Sequence, residues 1–415
     1  MSPTPAMKPP DRWLDISVST GVFLFFALML SVPRGYTLGA LILLLAGLYR
    51  CLRGSPVSLT REDKFIVWLF AAFFGVGVFG YFYHGNPSRS LDLISRYLMA
   101  IPILLLLIAR PPNYKWVWSG LVVGCASAAL VTVWQVHALE YERAMGSTGV
   151  IQFGNIGLMM GVFCIAGVIG LPKDTRSFRL HGRLALAVGG VSGVYVSMAS
   201  GSRGGWIALP AIVLVFAFAY VSRRNIKYML VVLVALVVAA GTVVSTVPVI
   251  EERIAIAYSD IERYRAGDPN TSLGYRFEMY KSLSLIIPKK PWLGWGYKDY
   301  EDEQHRLVET GQISDVIIKM ANTHNTYLEV WVFNGATGLA VLLLLLFTAL
   351  VYFGRRLRAG DPVRRVAAVC GASLILGYAI SSFSQVMLNR NNTLLFFLIS
   401  LTVLWAVVRL PGQRS

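Results

Sequence analysis

Hydrophobic residues occur in long runs along this chain, separated by short polar stretches that are mostly basic. A helix needs about 20 apolar residues to cross a bilayer. Twelve runs approach that length, near residues 14–32, 36–50, 65–83, 91–109, 116–136, 150–171, 184–200, 206–222, 228–249, 326–353, 366–386 and 393–409. The pattern predicts an all-α polytopic membrane protein with about 12 transmembrane helices, in which residues 1–415 form a single transmembrane domain.

One connection is much longer than the others, at residues 251–325 between the ninth and tenth runs. Connections longer than about 15 residues are uncommon unless they are functional or disordered. This one contains many aromatic and aliphatic residues, which indicates a folded helical loop. Residues 272–287 place apolar side chains at helical spacing, after a Ser or Thr N-cap and before Pro288. They predict an amphipathic helix that rests on the membrane domain.

Composition and charge argue against two classes of protein, a soluble globular domain and a nucleic-acid-binding protein. The chain is 55% hydrophobic and 14% charged, whereas a soluble domain has about 25% charged residues. The net charge of +16 is concentrated in one set of alternate loops, with 22 Lys and Arg, whereas the short loops of the other set hold only Arg34, Arg89, Arg143, Arg203 and Arg390. Basic residues remain on the cytoplasmic side, so both termini are predicted to be cytoplasmic and the long loop periplasmic. The charge is an orientation signal and indicates no nucleic-acid partner.

Two arginines are candidates for anion binding. Arg203 lies between small residues in the sequence SGSRGG, where glycines leave backbone N–H groups accessible to a ligand. The alternative for Arg203 is an interfacial arginine in a tight turn. Arg276 lies in the predicted amphipathic helix, and on that feature alone a solvated arginine is the better interpretation.

His324 lies where the long loop enters the tenth run, and Glu329 follows about one turn into the helix. A neutral histidine can remove a proton from a hydroxyl near pH 7, and neighbouring arginines lower its pKa. The alternative is a purely structural histidine. The acidic run at residues 299–303 lacks the spacing of a calcium loop, which favours a solvated surface, so neither a metal site nor a cofactor is predicted.

The order of these motifs resembles the O-antigen ligase and polymerase superfamily of bacterial inner membranes. The motifs are SGSRGG at 200–205, Arg276 followed by PWLGWG at 291–296, and HNxxLE at 324–329, then Gly335 and Gly338. They cover residues 200–338, whereas the arrangement of spans around one large loop covers the whole chain. The resemblance implies a GT-C type glycosyltransferase architecture with its active site facing the periplasm.

The resemblance also implies a reaction. In the ligase branch a polysaccharide passes from undecaprenyl pyrophosphate to the lipid A core oligosaccharide, without a metal or ATP. Arg203 and Arg276 would bind the pyrophosphate, and His324 would be the catalytic residue and, by hypothesis, a general base in an inverting attack. Arg34, Arg89 and Arg390, predicted on the same side of the membrane, rank below these three, as does Glu329. The expected partners are the lipid-linked donor, the lipid A core acceptor and membrane lipids.

Three other functions remain open at this point. A polymerase uses the same donor but extends a second lipid-linked glycan, and a protein O-oligosaccharyltransferase modifies a hydroxyl side chain. Twelve spans with both ends inside also describe a secondary transporter, which typically has two related halves and ionisable residues near the midplane. Here only one half contains a long loop, and Arg96 is the clearest candidate for a charge deep in a span.

Overall fold

The computed structural model describes residues 12–54, 56–171, 176–202, 204–221, 249–320 and 322–409, and these residues contain helices but no strand. Arg203 and residues 228–248 of the ninth predicted run lie outside this part of the chain. Eleven of the 12 predicted runs coincide with a helix. The prediction of an all-α polytopic membrane protein is confirmed.

Fourteen helices are described. The first eight are α1 (Arg12–Ala27), α2 (Tyr36–Leu52), α3 (Arg61–His84), α4 (Ser90–Ala109), α5 (Tyr114–Val133, extended by a π-turn at Trp134–Ala138), α6 (Val150–Gly170), α7 (Arg176–Ser200) and α8 (Leu209–Tyr220). The others are α9 (Val249–Arg265), α10 (Ser272–Ile286), α11 (Tyr297–Glu309), α12 (Thr326–Gly354), α13 (Pro362–Ser381) and α14 (Asn391–Val408).

Eight of the described helices are long and apolar enough to cross a membrane: α3, α4, α5 with its π-turn, α6, Leu180–Ser200 of α7, α12, α13 and α14. The helix α2 and the segment Trp206–Tyr220 are apolar but shorter. At the centre of the bundle, α14 is buried along almost its whole length and packs against α4 and α13. Its apolar side chains therefore face other helices and not lipid.

The eleventh run was predicted at residues 366–386, but α13 begins at Pro362 and ends at Ser381. The start is earlier because the Asp361 side chain accepts a hydrogen bond from the Arg364 N–H at 2.9 Å, and proline fits the first helical turn. The end is earlier because the next residues leave the helix to bond other parts of the chain. We call residues 382–390, between α13 and α14, the α13–α14 connection.

At one end of the bundle, α3 and α14 are joined by a buried polar network. The fully buried Asp63, in the first turn of α3, accepts hydrogen bonds from the Trp405 indole N–H at 2.8 Å and from the Thr60 N–H and hydroxyl, each at 2.7 Å. It also forms an ion pair with Arg409, at 3.1 Å. Because a buried carboxylate is costly without partners, these bonds fix where the two helices meet. We call this the basic end, since several arginines surround it.

The segment 249–320 builds a second hydrophobic cluster, formed mainly by α10, α11 and the turns after them. A helix predicted at 272–287 is confirmed as α10, with Thr271 as its N-cap. Its predicted amphipathic character is not confirmed, since Glu278 and Ser282 are buried together with apolar side chains. Glu278 ties the segment together, because its carboxylate accepts hydrogen bonds from the Tyr264 hydroxyl at 2.7 Å and the Ser314 N–H at 2.8 Å. The helices α9 and α11 were not predicted.

This cluster is fastened to the bundle through a kink in α12. Gly335 has φ +65° and ψ −175°, a conformation that is open almost only to glycine. The turn at residues 291–296 fits into the kink, where the Trp295 N–H donates to the Val332 carbonyl at 2.7 Å and the Ala336 N–H donates to the Pro291 carbonyl at 2.8 Å. The kink therefore positions the long segment over one end of α12.

Replacing Gly335 by alanine is expected to destabilise the protein by at least about 2 kcal/mol. A Cβ at this position would lie 2.0 Å from the Trp292 carbonyl oxygen, in addition to the backbone strain. Thermal unfolding of the purified protein in detergent measures the effect. Gly354→Ala, at the end of the same helix with no atom within 4 Å of its added Cβ, is the matched control. Equal stability of the two variants would contradict the docking role of the kink.

Candidate active site

The α13–α14 connection holds the residues around His324 through its backbone carbonyl groups. The Ser382 carbonyl accepts from the Thr326 N–H at 2.8 Å, and the Gln385 carbonyl accepts from the Thr326 hydroxyl at 2.8 Å. The Phe383 carbonyl accepts from the Asn325 side-chain amide at 3.2 Å and from the Tyr280 hydroxyl of α10 at 3.4 Å. One short segment thus joins the start of α12 to α10.

The turn at residues 200–205 lies against the same region. The Asn155 side-chain oxygen accepts from the Ser202 hydroxyl at 2.9 Å and from the Gly205 N–H at 3.1 Å. The Ser381 hydroxyl, at the end of α13, donates to the Gly204 carbonyl at 3.3 Å. Although Arg203 lies outside the described residues, its flanking residues are anchored between α6 and the end of α13.

His324 is held in an unusual backbone conformation at the start of α12. Its φ of +55° lies in the left-handed region, which non-glycine residues seldom adopt outside functional or constrained sites. Its N–H donates to the Asn322 side chain at 3.1 Å. Asn325, the next residue, caps α12 by accepting from the N–H groups of Tyr327 and Leu328 at 2.9 and 3.1 Å. These local bonds fix where the imidazole projects.

The imidazole of His324 is half-buried, and its Nδ1 is buried with no hydrogen-bond partner in the described part of the chain. Burial lowers the pKa of His324, and the positive charges of Arg276 and Arg390 lower it further. Both effects favour the neutral ring near pH 7. A neutral imidazole is suited to accept a proton from a hydroxyl. Because Nδ1 is buried, the nitrogen that a hydroxyl can reach is Nε2.

Four candidate arginines lie in the described part of the chain: Arg34, Arg89, Arg276 and Arg390. Their guanidinium groups have no hydrogen-bond or ion-pair partner among the described residues. Arg276, on α10, is half-buried, and the other three are exposed. Only Arg276 and Arg390 act electrostatically on His324. Their free guanidinium forks suit an oxyanion such as a phosphate.

Arg96, by contrast, is paired. Its guanidinium contacts Asp92 one turn away on α4 at 2.7 Å, and it also donates to Asn391 at 3.4 Å. The charge of Arg96, which the sequence predicts deep in a span, is therefore neutralised by Asp92 on the same helix. This pairing explains the presence of Arg96 without a transported ion.

Glu329 is buried and acts as a hydrogen-bond acceptor for the His324 segment. One carboxylate oxygen accepts from the Thr323 N–H at 3.0 Å, and the other accepts from the Asn389 side-chain amide at 3.0 Å. Glu329 thus joins the residue before His324 to the residue before Arg390. Glu329 therefore positions both His324 and Arg390.

Glu329→Ala is expected to destabilise the protein by about 1–3 kcal/mol, since it leaves the Thr323 N–H and the Asn389 amide without an acceptor. The measurement is thermal unfolding in detergent. Glu309→Ala, which removes an exposed carboxylate at the end of α11, is the control and should leave the midpoint unchanged. An unchanged midpoint for Glu329→Ala as well would show that the carboxylate does not hold this segment.

A cavity of about 240 Å³ opens between α3, α4 and α12, next to this segment. Its polar lining includes Arg89, Asn86, Glu329, Asn334 and Asn389. Aromatic and aliphatic side chains, among them Phe73, Tyr97 and Phe333, form the rest. Amide and carboxylate groups beside aromatic rings are the usual surroundings of a small polar ligand.

The acidic run at residues 299–303 forms part of α11, and two of its members are in ion pairs. Asp299 contacts Lys290 at 2.8 Å, and Glu303 contacts both Lys289 and Arg306. The hydrogen bond from Arg306, together with Lys289, lowers the pKa of Glu303 to about 2. Within the described ranges no group of three or more His, Cys, Asp and Glu side chains is arranged to hold a metal ion.

Several residues that build this site were not singled out from the sequence. Asn155, Phe383, Gln385 and Asn389 act through hydrogen bonds between elements far apart in the chain, whereas Asn322 accepts a local bond from the His324 N–H. Phe383 contributes only its carbonyl group, which no sequence pattern reveals. In the sequence, these contacts are indicated only by the polar stretch NRNN at 389–392, between two long apolar runs.

Comparison with known proteins identifies the family. The sequence profile of a family described as O-antigen ligase matches residues 188–343, which include the 200–205 turn, α10, His324 and the Gly335 kink. An uncharacterised protein of Haemophilus influenzae is 30% identical over 398 residues, which covers 93% of this chain and 97% of the relative. The chain therefore belongs to the O-antigen ligase/polymerase superfamily of multi-pass membrane proteins.

Proposed function

We propose that this protein is an O-antigen ligase, which transfers a polysaccharide from undecaprenyl pyrophosphate to the lipid A core oligosaccharide in lipopolysaccharide biosynthesis. The observation that carries the proposal is His324, a half-buried histidine with an unpartnered ring nitrogen and two free arginines acting on it. We place the reaction at the periplasmic face of the bacterial inner membrane, because the basic loops indicate that the opposite end is cytoplasmic.

The chemistry needs two contributions from the chain. Pyrophosphate is already a good leaving group, so arginines need only bind it and offset the charge that develops as its bond to the anomeric carbon breaks. Arg276 and Arg203 take that role, with Arg390 nearby. His324 accepts the proton of the acceptor hydroxyl as its oxygen attacks the anomeric carbon from the opposite face, with inversion. This scheme needs neither a metal nor ATP.

The cavity beside α12 is suited in size and lining to bind the acceptor sugar. A volume of about 240 Å³ accommodates one saccharide ring, and its amide and carboxylate groups offer donors and acceptors to ring hydroxyls. Its lining includes Thr326, two residues from His324. An acceptor sugar there can present a hydroxyl to the histidine, whereas the lipid tail of the donor lies among apolar helices.

The pH dependence of transfer follows from the lowered pKa of His324. Because the neutral ring is the active form, activity should fall as the pH falls through that pKa, which lies below the ordinary value of 6.5. Removing a nearby positive charge raises the pKa, so Arg390→Gln should move the acid limb to higher pH. Initial rates between pH 4.5 and 8 measure this. An acid limb that moves to lower pH or does not move would contradict the role of His324 as base.

The choice of acceptor is tested by competition. Purified protein is given one lipid-linked donor together with lipid A core, a second lipid-linked glycan and a serine- and threonine-rich peptide. The proposal predicts glycan on lipid A core. Product only on the second lipid-linked glycan would identify a polymerase, and product only on the peptide would identify a protein O-oligosaccharyltransferase.

A further inference from the structure

The basic end of the bundle carries a groove that the proposed reaction does not use. It lies between the start of α3 and the end of α12 and has a volume of about 280 Å³. Its lining includes Arg61, Phe65, Phe347, Tyr352, Arg355 and Trp405. The helix α3 begins at Arg61, and α12 ends one residue before Arg355. This places the groove at the end opposite His324.

The rim of the groove carries uncompensated positive charge. Arg61 and Arg355 are exposed, and neither guanidinium group has a hydrogen-bond or ion-pair partner within the described ranges. The acidic residue of the groove, Glu62, is already neutralised by Arg356 at 2.5 Å. Arg356 itself is held over the Tyr352 ring, with its guanidinium carbon 3.9 Å from the ring centroid. An anion is therefore attracted to the two free arginines.

The wall of the groove is apolar and faces outward from the bundle. Phe65 is 43% exposed and Phe347 is 64% exposed, although both lie on helices that are apolar enough to cross a membrane. Tyr352 and Trp405 form a rigid wall behind them, stacked with ring centroids 3.5 Å apart. A ligand here meets aromatic rings along the helices and guanidinium groups at their ends.

We infer that this groove binds an anionic phospholipid, with its phosphate between Arg61 and Arg355 and an acyl chain along Phe65 and Phe347. An acyl chain accounts for exposed aromatic rings at membrane depth, and a phosphate headgroup matches two unpaired guanidinium forks at the helix ends. A zwitterionic lipid fits less well, because its amine meets a rim of like charge. A lipid here would fix α3 to α12, two helices that also line the cavity beside His324.

The test is lipid retention by the full-length protein. Protein in detergent is supplied with equal amounts of phosphatidylglycerol and phosphatidylethanolamine, and the lipids that remain bound are counted by native mass spectrometry. The wild-type protein should retain phosphatidylglycerol in preference. Arg61→Gln and Arg355→Gln should each lower its retention about fivefold. Both substitutions remove exposed, unpaired side chains, so we expect folded protein, which circular dichroism checks.

Lys64→Gln is the matched control. It removes the same charge from an exposed residue on the first turn of the same helix, but Lys64 does not line the groove. Retention by this variant should equal that of the wild-type protein. Equal retention of the two lipids by the wild-type protein would overturn the inference, because binding would then reflect partition of lipid into the detergent micelle. A loss of retention in Lys64→Gln equal to that in Arg61→Gln would also overturn it, because binding would then depend only on the total positive charge.

Discussion

Replacing His324 by alanine should lower glycan transfer at least about 100-fold, the lower range of the contribution of a general base. The neutral imidazole is the group placed to take the acceptor proton, and the nearby carboxylate of Glu329 is already bonded to Thr323 and Asn389. The measurement is the initial rate of product formation by purified variants in proteoliposomes. Donor binding should change little, because the pyrophosphate is held by arginines.

His305→Ala is the matched control, since it removes an exposed histidine from α11 in the same long segment. Its rate should equal that of the wild-type protein. A folded His324→Ala protein that keeps full activity would contradict the role of His324. Glu329→Gln should give a transfer rate between those of the wild-type protein and His324→Ala. It preserves the shape of the side chain but alters the bonds to Thr323 and Asn389.

Replacing Arg276 by glutamine should lower transfer about 10- to 100-fold, which corresponds to the loss of one or two charge-assisted hydrogen bonds to phosphate. Because a guanidinium binds two oxygens at once, Arg276→Lys should recover only part of the rate. Retention of a fluorescent polyprenyl pyrophosphate donor by the purified variants would show how much of the effect lies in binding.

Arg265→Gln is the control for this prediction. Arg265 is exposed at the end of α9 and has no partner among the described residues, so its loss changes the charge of the same segment without touching the site. A rate for Arg276→Gln equal to that of Arg265→Gln would make Arg276 a solvated surface residue, the simpler interpretation of its position in the sequence.

Hydrophobicity predicted most of the helices of the bundle because each must present apolar surface to lipid or to other helices. The order of the motifs selects Arg203, Arg276 and His324 as site residues, and these assignments stay predictions. The sequence does not reveal the contacts that build the region around His324. The carbonyl groups of the α13–α14 connection, which hold Thr326, Asn325 and Tyr280, have no side-chain signature. A hydrophobicity count even assigned part of this connection to the eleventh span.

The helices of the long segment were harder to predict than those of the bundle. In α11 only Tyr300, Gln304 and Leu307 are buried. The acidic run at residues 299–303 makes the segment polar overall, so the sequence pattern does not indicate this narrow buried face. The position of the segment also depends on Gly335, whose kink receives the 291–296 turn. A glycine in an apolar run does not by itself indicate which part of the chain docks there.

The stoichiometry of the reaction catalysed by the pure protein tests the proposed ligase activity directly. Lipid-linked polysaccharide and lipid A core are mixed with the protein in proteoliposomes, without ATP and with excess chelator, and both products are quantified. We expect glycosylated lipid A core and free undecaprenyl pyrophosphate in equal amounts, and neither product with His324→Ala. Release of undecaprenyl pyrophosphate without glycosylated lipid A core, or transfer that requires an added metal ion, would contradict a metal-independent ligase.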